Sequence, residues 1–207
     1  MTKIKICGLY RPCDVDYVNE ARPDYCGFII DFPKSHRSVT PGRARELVQS
    51  LDPAVTPAGV FVDRPVEEVA ALLLDGTVSV AQLHGHEDES YLATLRARTG
   101  GRPVWRAFKV RCPADLAAAA ASTADQIILD NGYGTGECFD WSLTGGMRRP
   151  FFLAGGLSPA NLAEAISRAS PLGVDLSSGV ETDRLKDREK ILAAVAAVRE
   201  TDRRSAT

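Results

Sequence analysis

Two glycine turns and a few ionisable side chains carry most of the chemical information in this sequence. The turns are Ala154-Gly155-Gly156-Leu157 and Ser177-Ser178-Gly179-Val180. Glycine lets a backbone approach a ligand closely, and N–H groups at a helix start attract anions, so paired turns of this kind suit a phosphate. A Gly-Gly pair by itself equally well closes an ordinary turn. The ionisable candidates are Cys7, Asp130 and Asp175, Arg37 beside Lys34 and His36, and the pair His84-Gly85-His86. Thiol, carboxyl and imidazole side chains are among the usual acid–base groups of active sites. By residue type alone each has a plainer reading: Cys7 as a small buried apolar side chain, Asp130 as a turn cap, Arg37 as a solvated cation. The histidine pair has metal-like spacing but no further ligand candidates near it in sequence, so no metal site is expected.

These residues matter only if the fold gathers them. Short apolar, β-branched runs alternate with helical stretches along the chain. Strands are expected at Lys3–Ile6, Tyr25–Ile30, Ala58–Val62, Val78–Leu83, Val104–Lys109, Gln126–Leu129, Phe151–Ala154 and Val174–Leu176. Helices fill the gaps, for example Pro12–Ala21, Pro41–Leu51, Pro65–Asp75 and Pro113–Ala121, with Ser158-Pro159 opening Ala160–Ala169 and Asp187 opening the last. Strand–helix alternation implies parallel pairing, and eight units favour a closed, single-domain α/β barrel of the TIM (β/α)8 type over an open doubly wound sheet. Gly132, Gly134 and Gly136 begin the sixth gap, so the sixth helix is expected to be short or irregular. One domain is expected over residues 1–207, with a polar, frayed tail from 201 to 207.

In such barrels the loops after the strands form the active face. Cys7 ends the first strand, His84 follows the fourth, Asp130 ends the sixth, and the glycine turns follow the seventh and eighth, a frequent phosphate location in this fold. Asp24 and Asp125 begin strands and belong to the opposite, stabilising face. Trp105 and Trp141 read as core packing.

Composition sets the outer limits. The 207 residues are 44% hydrophobic and 25% charged with a net charge of −2, which gives no basic face for nucleic acid. No apolar run approaches the roughly 18 residues of a membrane helix, and the apolar part of the N-terminus is too short for a signal peptide. The five cysteines are scattered and never spaced C-x-x-C, which points to a reducing, cytoplasmic location rather than a disulfide scaffold. Monomer and homodimer both stay open.

A series of segments, in order, resembles the phosphoribosylanthranilate isomerase family. They are Lys5-Ile6-Cys7-Gly8-Leu9, Gly27-Phe28-Ile29, Pro33-Lys34-Ser35-His36-Arg37, Gly59-Val60-Phe61-Val62 and Gln82-Leu83-His84-Gly85 in the first half. In the second half they are Leu129-Asp130, Gly134-Thr135-Gly136, Phe139-Asp140-Trp141, Leu153 to Leu157, Val174 to Glu181 and Lys186-Asp187. The resemblance implies an Amadori rearrangement of a phosphorylated aminosugar that requires no metal, redox or other cofactor, with Cys7 as general base, Asp130 as general acid and Arg37 on the anthranilate carboxylate. It implies supporting roles for His84 and Asp175, and a phosphate held at Gly155, Gly156, Ser178 and Gly179. An unperturbed thiol is mostly protonated at pH 7, so the base role implies nearby positive charge lowering the pKa of Cys7. Asp130 must instead be held protonated.

The alternatives are a histidine-pathway or bifunctional aminoaldose isomerase, or a non-catalytic phosphate-binding barrel subunit. The histidine-pathway enzymes resemble this chain less, because they use an acidic residue where Cys7 stands. Departures from the family pattern fall at Asp63-Arg64, where a pair such as Asn-Gln is usual, at Tyr133, where glycine is common, and at Arg184, also a common glycine position. If Arg184 needs a positive φ, it carries strain of about 1–2 kcal/mol; the other reading is that it reaches the phosphate.

Overall fold

The computed structural model describes residues 1–130 and 140–205. Gly132, Tyr133, Gly134, Thr135, Gly136 and Phe139, singled out above, lie outside the described residues. The strands are β1 (Lys3–Cys7), β2 (Tyr25–Ile30), β3 (Ser38–Val39), β4 (Thr56–Phe61), β5 (Val80–Leu83), β6 (Val104–Lys109), β7 (Gln126–Asp130), β8 (Phe151–Ala154), β9 (Gly173–Leu176), β10 (Glu181–Thr182) and β11 (Leu185–Lys186). The helices are α1 (Pro12–Ala21), α2 (Pro41–Val48), α3 (Val66–Leu74), α4 (Glu89–Thr99), α5 (Pro113–Ala121), α6 (Leu162–Ala169) and α7 (Arg188–Ser205).

Strands pair in parallel in the order β1-β9-β8-β7-β6-β5-β4-β2, and β1 also pairs with β2, which closes a TIM-type barrel of eight strands. The β3 strand only flanks β2. Alternation along each strand sorts the side chains. On β1, Ile4 and Ile6 enter the large core between the strands and helices, while Lys5 and Cys7 turn to the inside of the barrel. The lower interior is filled by Ala58, Val80, Trp105, Ile128 and Phe152, with the Trp105 and Phe152 rings 4.8 Å apart and Tyr25 edge-on to Trp105 at 4.8 Å.

Local chemistry fixes the helix starts. Thr40 caps α2 by accepting from the Arg43 N–H, and Asp88 caps α4 by accepting from Tyr91. Asp14 accepts from the N–H groups of Tyr10 and Arg11 just ahead of α1. Asp24 and Asp125 do stand at strand starts, where they take the Ile4 and Val104 N–H groups; Asp24 also pins α7 through Arg199 at 2.9 Å.

Several boundaries differ from the sequence reading. The helix after Ser158-Pro159 begins at Leu162 rather than Ala160, because Asn161 folds the preceding residues into a turn by accepting from Ser158 N–H and donating to Gly156 O. Between β7 and β8 the described residues hold a 3-10 turn, Trp141–Gly146, in place of an α-helix, in keeping with an irregular sixth unit. The tail expected to fray from residue 201 instead continues α7 to Ser205, because Asp202 accepts from both the N–H and the hydroxyl of Thr2. No helix among the described residues is long and apolar enough to cross a membrane.

The β10–β11 hairpin was not foreseen, and it explains Arg184. Asp183 and Arg184 form its two-residue turn with φ of 51° and 65°. Positive φ at both central residues is the type I′ pattern, in which the second position favours glycine. The Arg184 side chain is exposed, and its carbonyl accepts from Tyr10 Oη at 3.3 Å and faces His36 Nε2 at 3.2 Å. Arg184→Gly should therefore relieve about 1 kcal/mol of strain and raise Tm by roughly 2–4 °C in thermal unfolding. A lowered Tm would remove the strain assignment.

Candidate active site

A cavity of about 150 Å³ opens at the carboxyl ends of the barrel strands. Its wall brings together Cys7 from β1, His84 after β5, Asp130 from β7, Gly155 and Gly156 after β8, Asp175 from β9 and Ser178 beyond it. Ile29 and Val60 supply an apolar side. Of the predicted site residues only Arg37 and Gly179 are not on this wall.

Under Cys7 lies a feature that sequence reasoning missed. Lys5 is fully buried, and its Nζ lies 2.8 and 3.0 Å from the two carboxylate oxygens of Asp175. The same ammonium lies beside Cys7 and acts to lower its pKa. Gly27 on the neighbouring strand makes the room: a Cβ there would fall 2.8 Å from Cys7 Sγ and 3.0 Å from Lys5 Nζ. Burial acts to lower the Lys5 pKa, but Asp175 and Cys7 outweigh it, so Lys5 stays protonated. For Cys7 the balance goes the other way. Burial raises its pKa and Lys5 only partly offsets this, so the thiol titrates above its ordinary value rather than below it as the base role implied.

Asp130 and His84 face each other, with Oδ2 and Nε2 3.5 Å apart. His86 turns elsewhere: its Nδ1 is 3.0 Å from Asp63 Oδ2, and its N–H donates to Asp63 Oδ1. The two histidines thus take different partners. Buried Glu87 accepts from the N–H groups of Asp63 and Gly85, each at 2.8 Å, which clasps the loop after β4 to the loop that carries His84. That accounts for Asp63, while Arg64 pairs with Glu68 and approaches Asp31 at 3.5 Å.

Arg37 is held from the side. Its Nε and Nη2 donate to the two oxygens of Glu181, each at 2.6 Å, in a bidentate fork. Buried Lys186 donates to the same carboxylate at 2.7 Å and to Ser177 O at 2.9 Å. Burial works against the Glu181 carboxylate, but Arg37 and Lys186 outweigh it and hold its pKa below the ordinary range. Glu181 and Lys186 were visible only as motif members; nothing in their spacing says that they face each other across a hairpin.

The two glycine turns pack directly on one another. Gly155 and Gly156 have φ of 86° and 67°. At Gly179 the constraint is space: a Cβ would lie 1.9 Å from the carbonyl oxygen of Leu157. Gly179→Ala must push the turns apart, at a cost of about 1–3 kcal/mol. It should lower Tm and weaken binding of inorganic phosphate, measured by calorimetry. Unchanged phosphate affinity would detach Gly179 from the phosphate role expected of these turns.

The sequence and the fold are similar to those of known proteins. The family described as N-(5'-phosphoribosyl)anthranilate (PRA) isomerase matches residues 4–197. A curated relative, N-(5'-phosphoribosyl)anthranilate isomerase of Endomicrobium trichonymphae, is 43% identical over 204 residues, covering 96% of this chain and 99% of its own. The crystal structure of phosphoribosyl anthranilate isomerase from Thermotoga maritima superposes with a TM-score of 0.87 at 32% identity, covering 97% of this chain and 100% of its own. A phosphoribosyl anthranilate isomerase solved in complex with reduced 1-(O-carboxyphenylamino)-1-deoxyribulose 5-phosphate superposes with a TM-score of 0.85 at 32% identity, covering 97% and 100% of the two chains. With its barrel, its strand-end cavity and matches along nearly its whole length, this chain belongs to the N-(5'-phosphoribosyl)anthranilate isomerase family.

Proposed function

We propose that this chain converts N-(5'-phosphoribosyl)anthranilate to 1-(2-carboxyphenylamino)-1-deoxyribulose 5-phosphate, an Amadori rearrangement in tryptophan biosynthesis. The observation that carries the reading is the single cavity that Cys7 and Asp130 share with both glycine turns. A base, an acid and an anion cradle in one small space fit a phosphorylated sugar whose protons must be moved.

Asp130, protonated, gives its proton to the ring oxygen. The C1–O bond breaks, and the nitrogen lone pair forms the C1=N iminium. The Cys7 thiolate then takes the proton from C2, the electron pair forms the enolamine, and tautomerisation gives the ketone. His84 orients the Asp130 carboxyl across their 3.5 Å contact. Lys5 is a positioning residue that stabilises the thiolate against the cost of burial, and Asp175 keeps Lys5 charged and in place. Ring opening also creates a cation beside Cys7, which favours thiolate at the step that needs it.

Arg37 binds the anthranilate carboxylate with the donors not engaged by Glu181, so Glu181 sets the plane of the guanidinium. Backbone N–H groups around Gly155, Gly156, Ser178 and Gly179 cradle the phosphate.

Asp130→Asn should lower kcat by at least about 10²-fold, the usual worth of a general acid, while affinity for the reduced product analogue stays within a few-fold of the parent. Steady-state kinetics and calorimetry check both halves. Near-normal kcat would remove Asp130 as the acid. Turnover of the histidine-pathway aminoaldose at a comparable rate would replace the dedicated reading with a bifunctional one.

A further inference from the structure

Within the isomerase reading above, on which it rests, we infer that Gln82 is a substrate-positioning residue whose side-chain carbonyl accepts a hydrogen bond from a hydroxyl of the bound sugar. Gln82 lines the catalytic cavity on β5 and is only 2% exposed. Its Oε1 is buried with no hydrogen-bond partner among the described residues. Gln126 Oε1 and Trp141 Nε1 share that condition, but neither residue lines the cavity. A buried, unpaired amide oxygen is unfavourable, and an apolar side chain of the same size would fill the space without that cost. An amide kept there is explained by a partner that arrives with the ligand.

The strand pattern places it well. Val80 and Gln82 point inward while Ala81 and Leu83 enter the outer core. In the barrel order β5 lies four strands from β9, so Gln82 stands across the cavity from Asp175 and from the Lys5 ammonium beneath Cys7. An unpaired acceptor also selects the chemistry of its partner. Phosphate and carboxylate groups are acceptors themselves and cannot satisfy it, whereas a sugar hydroxyl can donate. Gln82 therefore reads the sugar in the middle of the substrate, between the groups that Arg37 and the glycine turns hold.

The test compares Gln82→Met, which keeps the volume and removes the amide, with the parent protein. Turnover of N-(5'-phosphoribosyl)anthranilate, affinity for the reduced product analogue, affinity for inorganic phosphate and Tm are measured for both. The expected result is kcat/KM and analogue affinity each reduced by about 10- to 100-fold, with phosphate affinity unchanged and Tm equal or higher. Analogue affinity within twofold of the parent would overturn the inference. A fall in Tm with parallel loss of phosphate binding would also overturn it, by making Gln82 a structural residue. Absence of turnover by the parent itself would remove the isomerase reading, and this inference with it.

Discussion

Where the barrel closes, Lys5 on β1 and Asp175 on β9 stand opposite each other as register partners, Lys5 sealed from water and Asp175 buried but for its face on the cavity. Taking two charges out of water is expensive, and their attraction repays it only when geometry is good and the charges stay paired. Here Lys5 Nζ meets both Asp175 oxygens within 3.0 Å. A pair of apolar residues would close a barrel at least as stably. What the ion pair adds is a fixed positive charge directly under Cys7, in a space opened by Gly27. The seam of the fold and the reactivity of its thiol thus depend on the same two side chains.

Around that seam, the loops are tied to one another rather than left to solvent. Ser177 Oγ donates to the carbonyl of Cys7 at 3.1 Å, joining the end of β1 to the loop after β9. The hairpin that follows carries Glu181 and Lys186, and through Glu181 it fixes Arg37 from the loop after β2. On the other side of the barrel, Asp63 and Glu87 clasp the loops after β4 and β5. A site assembled from separate strand ends needs this bracing, because a displacement of about 1 Å is enough to spoil catalytic geometry.

Much of this was legible in the sequence. Eight apolar runs at regular spacing gave the barrel, and the rule that function gathers at strand carboxyl ends separated Cys7, His84 and Asp130 from Asp24 and Asp125. The glycine turns were placed correctly because close backbone approach demands that residue type; the 1.9 Å clash at Gly179 is the physical form of the signal. Lys5 was hidden for a corresponding reason. A lysine in a strand near the N-terminus reads as solvated, and only the alternation that puts it inside with Cys7 shows otherwise. The Arg37–Glu181 fork joins residues 144 positions apart, which periodicity does not encode, and the hairpin turn at Asp183-Arg184 lacks the Asn-Gly or Asp-Gly pair that signals one. The pKa of Cys7 was expected in the wrong direction because sequence shows nearby charge but not depth of burial.

The account turns on Lys5 and Asp175 making Cys7 ionisable despite that burial. The direct measurement is the rate of alkylation of Cys7 by iodoacetamide against pH, read at Cys7 by mass spectrometry. It compares the parent protein with the paired replacement Lys5→Met and Asp175→Leu, which removes both charges together and so avoids stranding either one. The account predicts that the midpoint moves to higher pH in the double variant, because Lys5 is the larger influence holding the Cys7 pKa down and Asp175 only partly opposes it. A midpoint that is unchanged, or lower, would contradict it.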